Sequence, residues 1–289
     1  DTEGTSFAGM HETFANVIGE DALLTRLLDC RASLFVERVI AYRASQGLDE
    51  EPVIAVVVQA MVASDRSGVM FTADPSTGDR DRIVIEAAFG LGEVVVSGQV
   101  EPDTYVVATP SFQLRQVRVG HQTHKLTSAP DGTVARVELP DVEADARVLR
   151  DDEVVELARY GARIEEHYRA PQDVEWAIAG GETWILQARP ITTLDHPGRD
   201  EEPEAEGEAA GDGGPTVLLR GLAASPGVAT GRVRVLRSPQ DGHRLERGEI
   251  LVAPMTNPDW VPTIRRSAAL VTDTGGMTCH AAIVSRELG

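Results

Sequence analysis

Residues 194–215 limit every fold this chain can adopt. The stretch runs Leu194-Asp195-His196-Pro197-Gly198-Arg199-Asp200-Glu201-Glu202-Pro203-Glu204-Ala205-Glu206-Gly207-Glu208-Ala209-Ala210-Gly211-Asp212-Gly213-Gly214-Pro215. Carboxylates, prolines and glycines with almost no large apolar side chain bury too little surface to offset the entropy of ordering, and like charges keep them extended. The chain is therefore expected to build two units, 1–193 and 216–289, joined by an acidic flexible linker. At 289 residues and 42% hydrophobic content it has material for two ordinary cores.

The second unit ends on its most informative segment. A strand-like run, Ala268-Ala269-Leu270-Val271-Thr272, leads through Thr274-Gly275-Gly276-Met277-Thr278-Cys279 to His280, and a helix-like run follows, Ala281 to Leu288. This spacing predicts His280 at a helix N-terminus, where unpaired N–H groups and the positive end of the helix dipole favour an anion. The glycine pair lets backbone approach a phosphate without a Cβ clash. A histidine so placed suits a nucleophile that carries a phosphoryl group. The residues alone fit equally a Gly-turn helix start with an incidental histidine.

In the first unit, apolar spacing from Glu20 to Gln46 predicts a core-packing helix closed by Gly47. Val53 to Val62 reads as a buried strand interrupted by Gln59, whose amide would bond backbone or a nucleotide base. Short strands are expected at 67–73 and 83–89, and at Tyr105–Val107, Leu114–Val119 and Val134–Leu139. Asp151 or Asp152 is expected to cap a helix through Tyr168. His121 and His124 could hold a metal, though a polar loop between strands explains them as well. Pro171–Ile178 and Thr183–Pro190 then read as a hairpin about Gly180-Gly181. Its alternation places Glu175, Gln187 and Arg189 on one face. A carboxylate, an amide oxygen and a guanidinium together suit a Mg²⁺-triphosphate; an ion pair between Glu175 and Arg189 is the plainer alternative. Beyond the linker, 224–236 reads as a glycine-punctuated strand pair, 248–254 as a further strand, and Asp259 to Arg266 as a short helix.

Charge narrows the partners. A formal net charge of −19 argues against nucleic acid or an anionic membrane surface, but not against ATP, which needs only a local cationic pocket. Lys125 is the single lysine among 27 basic residues, so phosphate contacts fall mainly to arginine. No run of about 18 apolar residues marks a membrane span. Two distant cysteines, Cys30 and Cys279, make no disulfide framework, as expected in the cytoplasm.

The run Gly275-Gly276-Met277-Thr278-Cys279-His280-Ala281-Ala282-Ile283-Val284-Ser285-Arg286-Glu287-Leu288-Gly289 resembles the phosphohistidine signature of the PEP-utilising enzymes. That family contains phosphoenolpyruvate synthase, pyruvate phosphate dikinase, rifamycin phosphotransferase and the phosphotransferase-system enzyme I. Ala55 to Tyr105, Gln172-Asp173-Val174-Glu175-Trp176-Ala177 and Gln187-Ala188-Arg189-Pro190 resemble the ATP-grasp domain of the synthases. The resemblance implies an α+β and α/β architecture: part of an ATP-grasp domain, then a truncated, swivelling phosphohistidine β/α domain. It implies ATP-binding roles for Gly9, Thr13, Gln59, Glu175, Gln187 and Arg189, with Glu175 and Gln187 holding Mg²⁺. His280 would be the phosphorylated nucleophile, and Thr278 a site for a regulatory kinase or simply a helix cap. The implied reaction turns pyruvate, ATP and water into phosphoenolpyruvate, AMP and phosphate. Its pyruvate site would lie on a (β/α)₈ barrel, and part of its ATP site on an N-terminal subdomain, so an internal fragment is expected. The alternatives are a rifamycin phosphotransferase and a non-catalytic nucleotide-binding or phosphocarrier module.

Overall fold

The computed structural model describes residues 12–36, 39–40, 43, 47, 51–191, 217–225 and 227–288. Gly9 and the acidic stretch 194–215 lie outside the described residues. The architecture is mixed α/β, with one large antiparallel sheet, a two-stranded antiparallel ribbon and a three-stranded parallel sheet.

The large sheet takes strands β1 (Arg66–Phe71), β2 (Arg82–Phe89), β3 (Asp103–Ala108), β4 (Gln113–Arg118), β7 (Gln172–Ala179) and β8 (Glu182–Pro190) in the order β4-β3-β2-β1-β7-β8. Period-two alternation gives it two faces. Met70, Ile83, Ile85, Ala87, Tyr105, Val107, Val174, Trp176 and Ile178 form one core with Val154, Leu157 and Ala158 of a long helix, Asp151–Tyr168. Gly161 of that helix faces Met70, where a Cβ would overlap the thioether. On the opposite face Val69, Phe71 and Ala88 pack with Leu91, Val94, Val95, Val100 and Leu126. The last of these belongs to the ribbon of β5 (His124–Ser128) and β6 (Val134–Glu138).

We number the helices α1 (Glu20–Ala32), α2 (Glu93–Val96), α3 (Asp141–Ala144), α4 (Asp151–Tyr168), α5 (Val261–Ile264) and α6 (His280–Leu288). α4 is capped just before the two expected positions, Asp151 and Asp152: Arg150 is the N-cap, and Glu153 folds back to accept from its N–H at 2.9 Å. The same carboxylate receives a fork from Arg66 at 2.7 and 2.8 Å, tying helix to sheet. The parallel sheet, β9 (Val233–Val235), β10 (Ile250–Ala253) and β11 (Ala269–Thr272), encloses Leu236, Leu251, Ala253, Trp260, Ile264 and Val284.

Three expectations fail. The helix from Glu20 stops at Ala32, where the Ser33 hydroxyl donates to Cys30 O at 2.7 Å and the chain passes through a 3₁₀ turn to an extended Val36. No α1 residue is buried, and Leu24 and Leu28 are exposed; helical spacing fixes a stripe but supplies nothing to cover it. Val53–Val62 forms no strand, and Val53 and Val57 are largely exposed. Strand propensity needs a ladder partner to become a strand, and this run lies unpaired beside bulged β8. In 224–236 only Val233–Val235 pair. β5, by contrast, appears where a loop was expected.

Asp103 and Tyr105 pin β3 to the loop before α4. Fully buried Asp103 accepts from Gly120 N–H at 3.0 Å and Val148 N–H at 2.8 Å. It also accepts from the Tyr105 hydroxyl, which in turn accepts from Leu149 N–H. Tyr105→Phe leaves a buried N–H unpaired, so urea unfolding is expected to show a loss of about 1–3 kcal/mol.

Candidate functional site

The hairpin turns where expected: Gly180 and Gly181 have φ of 59° and 84°, a conformation that strands β7 and β8 need in order to reverse. Glu175 stands opposite Gln187 and Asp173 opposite Arg189. Directly opposed residues share a face, so the three predicted residues and Asp173 form one patch. β1 extends it, since Val69 opposes both Glu175 and Glu86 while Phe71 opposes Asp173. Glu86, Asp173, Glu175, Gln187 and Arg189 therefore belong to the same face of the sheet, opposite to α4.

Arg189 makes an ion pair, but not with Glu175. Its Nε and Nη2 donate to Asp173 Oδ2 at 2.8 and 2.6 Å, as the ladder register requires. Burial pushes the carboxyls of Asp173 and Glu175 up; Arg189 pulls both back, and the neighbouring Asp173 charge raises Glu175 further. Among the described residues, no hydrogen bond engages the Glu175 carboxylate. A register shift between Glu175 and Trp176 leaves Leu186 outside the ladder, and Gln59 Nε2 donates to its carbonyl at 3.3 Å. Exposed Gln59 thus has the side-chain-to-backbone partner that was one of its two expected uses.

Thr13 lies elsewhere. It lines a cavity of about 320 Å³ with Phe14, Asn16, Arg26, Glu93 and Asp131, and that lining contains none of Gln59, Glu175, Gln187 or Arg189. His121 bonds Asp145, and His124 bonds Gln99 and Thr123.

His280 is the first residue of α6, as its sequence spacing predicts. The Thr256 hydroxyl lies 3.3 Å from its Nδ1. Burial lowers the imidazole from 6.5 to about 4, although the Asp259 charge opposes the shift. Cys279 beside it is buried, which pushes its thiol up. Gly275 has φ of 110°, and a Cβ on Gly276 would overlap both carboxylate oxygens of Glu86. Gly276 therefore makes room for a carboxylate in this arrangement, while a Cβ on Gly275 would meet Met255 and Cys279.

Glu86 is the residue that sequence reasoning missed. It accepts from Met277 N–H at 2.6 Å, Thr278 N–H at 3.1 Å and the Thr278 hydroxyl at 2.5 Å. Thr278 is therefore engaged by Glu86, where the sequence suggested either a regulatory phosphosite or a helix cap. Arg286 Nη2 holds Met277 O at 2.8 Å, and its charge acts on Glu86, Asp173 and Asp74. A single carboxylate amid Ile83-Val84-Ile85 and Ala87-Ala88-Phe89 was the available signal, because an apolar strand does not carry a charge without donors.

Residues 1–210 match the family described as pyruvate phosphate dikinase, AMP/ATP-binding domain. The chain belongs to that family. Residues 245–289 match the PEP-utilising enzyme mobile domain. Relatives are similar over all of this chain. A probable phosphoenolpyruvate synthase of Archaeoglobus fulgidus is 51% identical, with 38% of its length covered. One of Methanothermobacter thermautotrophicus is 47% identical, with 41% covered. The phosphoenolpyruvate synthase of Pyrococcus furiosus is 43% identical, with 36% covered. The chain thus spans well under half the length of these relatives. Among the described residues no helix is long and apolar enough to cross a membrane.

The lowered imidazole has a pH signature. His280 takes its proton near 6.5 when unfolded and near about 4 when buried. It therefore penalises the folded state increasingly as pH falls from 6.5 toward about 4, and not above that window. Nitrogen NMR of His280 is expected to show a neutral ring at about pH 5; a midpoint at or above about 6 would contradict the burial.

Proposed function

We propose that this chain supplies the nucleotide-binding and phosphohistidine parts of a phosphoenolpyruvate synthase, which converts ATP, pyruvate and water to AMP, phosphate and phosphoenolpyruvate. The observation that carries this reading is the seating of the His280 loop on the sheet face that bears Asp173, Glu175, Gln187 and Arg189. Residues 1–193 serve as the later part of an ATP-grasp domain, 194–215 as the tether, and 216–289 as part of a swivelling carrier domain. Glu175, Gln187, Arg189 and Gln59 would contact ATP, and Gly9 and Thr13 keep the phosphate-lining role that the resemblance implies only if the segment bearing Thr13, which lines a separate cavity in this arrangement, closes over the nucleotide.

His280 is neutral at physiological pH, and Thr256 engages Nδ1, which leaves Nε2 as the nucleophile. Nε2 attacks the β-phosphorus of ATP and AMP departs with the bridging oxygen. Water then cleaves the γ-phosphate as inorganic phosphate, and the remaining phosphoryl group passes from nitrogen to the enol oxygen of pyruvate. A covalent carrier splits one difficult transfer into separate steps. Freed from Asp173, Arg189 would pair with phosphate oxygens.

The donor set fits Mg²⁺. Glu175 offers a carboxylate that no hydrogen bond engages among the described residues, and opposed Gln187 an amide oxygen. Among the described residues no group of three or more His, Cys, Asp or Glu is placed to hold a metal. That leaves the remaining positions to phosphate oxygens and water, the usual environment of this cation. When bound, Mg²⁺ neutralises charge that builds on the phosphates.

Phosphorus NMR of the full-length protein with ATP, Mg²⁺ and pyruvate tests the reading. Equal release of AMP, phosphate and phosphoenolpyruvate is expected, and His280→Ala should abolish it. Consumption of ATP only when a rifamycin is added would move the assignment to the antibiotic-modifying relatives.

Thr278 serves as a regulatory phosphosite for a kinase in this scheme. Its hydroxyl is buried against Glu86, so a phosphate there would repel that carboxylate and unseat the loop. Thr278→Glu is expected to lose at least about ten-fold in turnover; full activity in this variant would refute the regulatory role.

A further inference from the structure

Glu86 occupies the centre of β2, is fully buried, and opposes Val69 on one side and Thr104 on the other. A branched apolar residue would serve the sheet there at least as well. Among the described residues, the hydrogen-bond donors to its carboxylate come from Met277 and Thr278, about 190 residues downstream. Nearby contacts depend on the same seat. The Thr274 hydroxyl donates to Gly98 O at 2.9 Å, and Arg286, which orients Met277 through its carbonyl, lies among the charges of Glu86, Asp173 and Asp74.

We propose that Glu86 is a positioning residue, whose carboxylate seats the His280 loop over the nucleotide-side sheet for phosphoryl uptake from ATP. The inference rests on the carrier reading of His280. Two N–H groups and one hydroxyl meet both carboxylate oxygens, which fixes the loop in rotation as well as position. Gly276 is the residue that lets this approach happen, since any side chain there would collide with Glu86. When the loop leaves, Glu86 loses all three donors, so the seat is built for one end of the carrier's travel only. Delivery to the acceptor should not require it.

Labelling of His280 from either direction separates positioning from general stability. In the full-length protein, Glu86→Gln keeps the side-chain shape but turns a donor toward a donor. Phosphorylation from ATP is expected to slow at least about ten-fold, while phosphorylation from phosphoenolpyruvate stays within about two-fold of wild type. Equal slowing from both donors, or none from either, overturns the proposal. Thr278→Val removes only the hydroxyl donor and should slow the ATP side alone, by less; it serves also if Glu86→Gln does not fold.

If neither donor labels the wild type, the carrier reading fails and amide exchange decides whether the seat exists. In Glu86→Gln the Met277 and Thr278 amides should then exchange at least about ten-fold faster, with β1 and β7 unchanged. Wild-type exchange at both amides would sink the seat as well.

Discussion

One buried carboxylate holds the two halves of this molecule in register. Glu86 stands in the middle of an apolar strand, where a lone charge is costly, and the loop before His280 satisfies it with two backbone N–H groups and a hydroxyl. Such bonds to a charged acceptor are shorter and stronger than neutral ones. Other features of the interface follow from this contact. Gly276 carries no side chain, Arg286 holds the Met277 carbonyl, and Thr278 is buried with its hydroxyl on Glu86.

The sheet makes that contact useful. Six antiparallel strands give it an apolar face closed by α4 and a second face that is apolar at one end and charged at the other. The charged end gathers Asp173, Glu175, Gln187 and Arg189 because ladder register aligns them across β7 and β8. The histidine helix is seated on the same face by Glu86. The His280 loop and a candidate phosphate site thus meet through strand pairing and one polar contact.

Local pattern was legible where the physics is local. The Gly180-Gly181 reversal, the grouping of Glu175, Gln187 and Arg189 on one face, and His280 at the head of α6 all follow from two- and four-residue spacings. Patterns that needed a partner misled. Val53–Val62 has strand composition but no ladder, and the leucines of α1 have helical spacing with nothing to cover them. His121 and His124 are spaced like ligands, yet each is engaged by a different neighbour. The ion pair of Arg189 went to Asp173 because register, which sequence spacing leaves open, sets which carboxylate lies opposite.

The sequence by itself determined the family, the place of His280 at the head of a helix, and the hairpin that groups Glu175, Gln187 and Arg189, because each is written in contiguous residues with fixed spacing. Tertiary structure alone decided that Glu86 meets Thr278, that Gly276 faces a carboxylate, and that Thr13 lines a cavity apart from Glu175. Those pairings join residues far apart along the chain. Their energies come from burying charge together with its donors, and no local pattern records which distant donors will arrive.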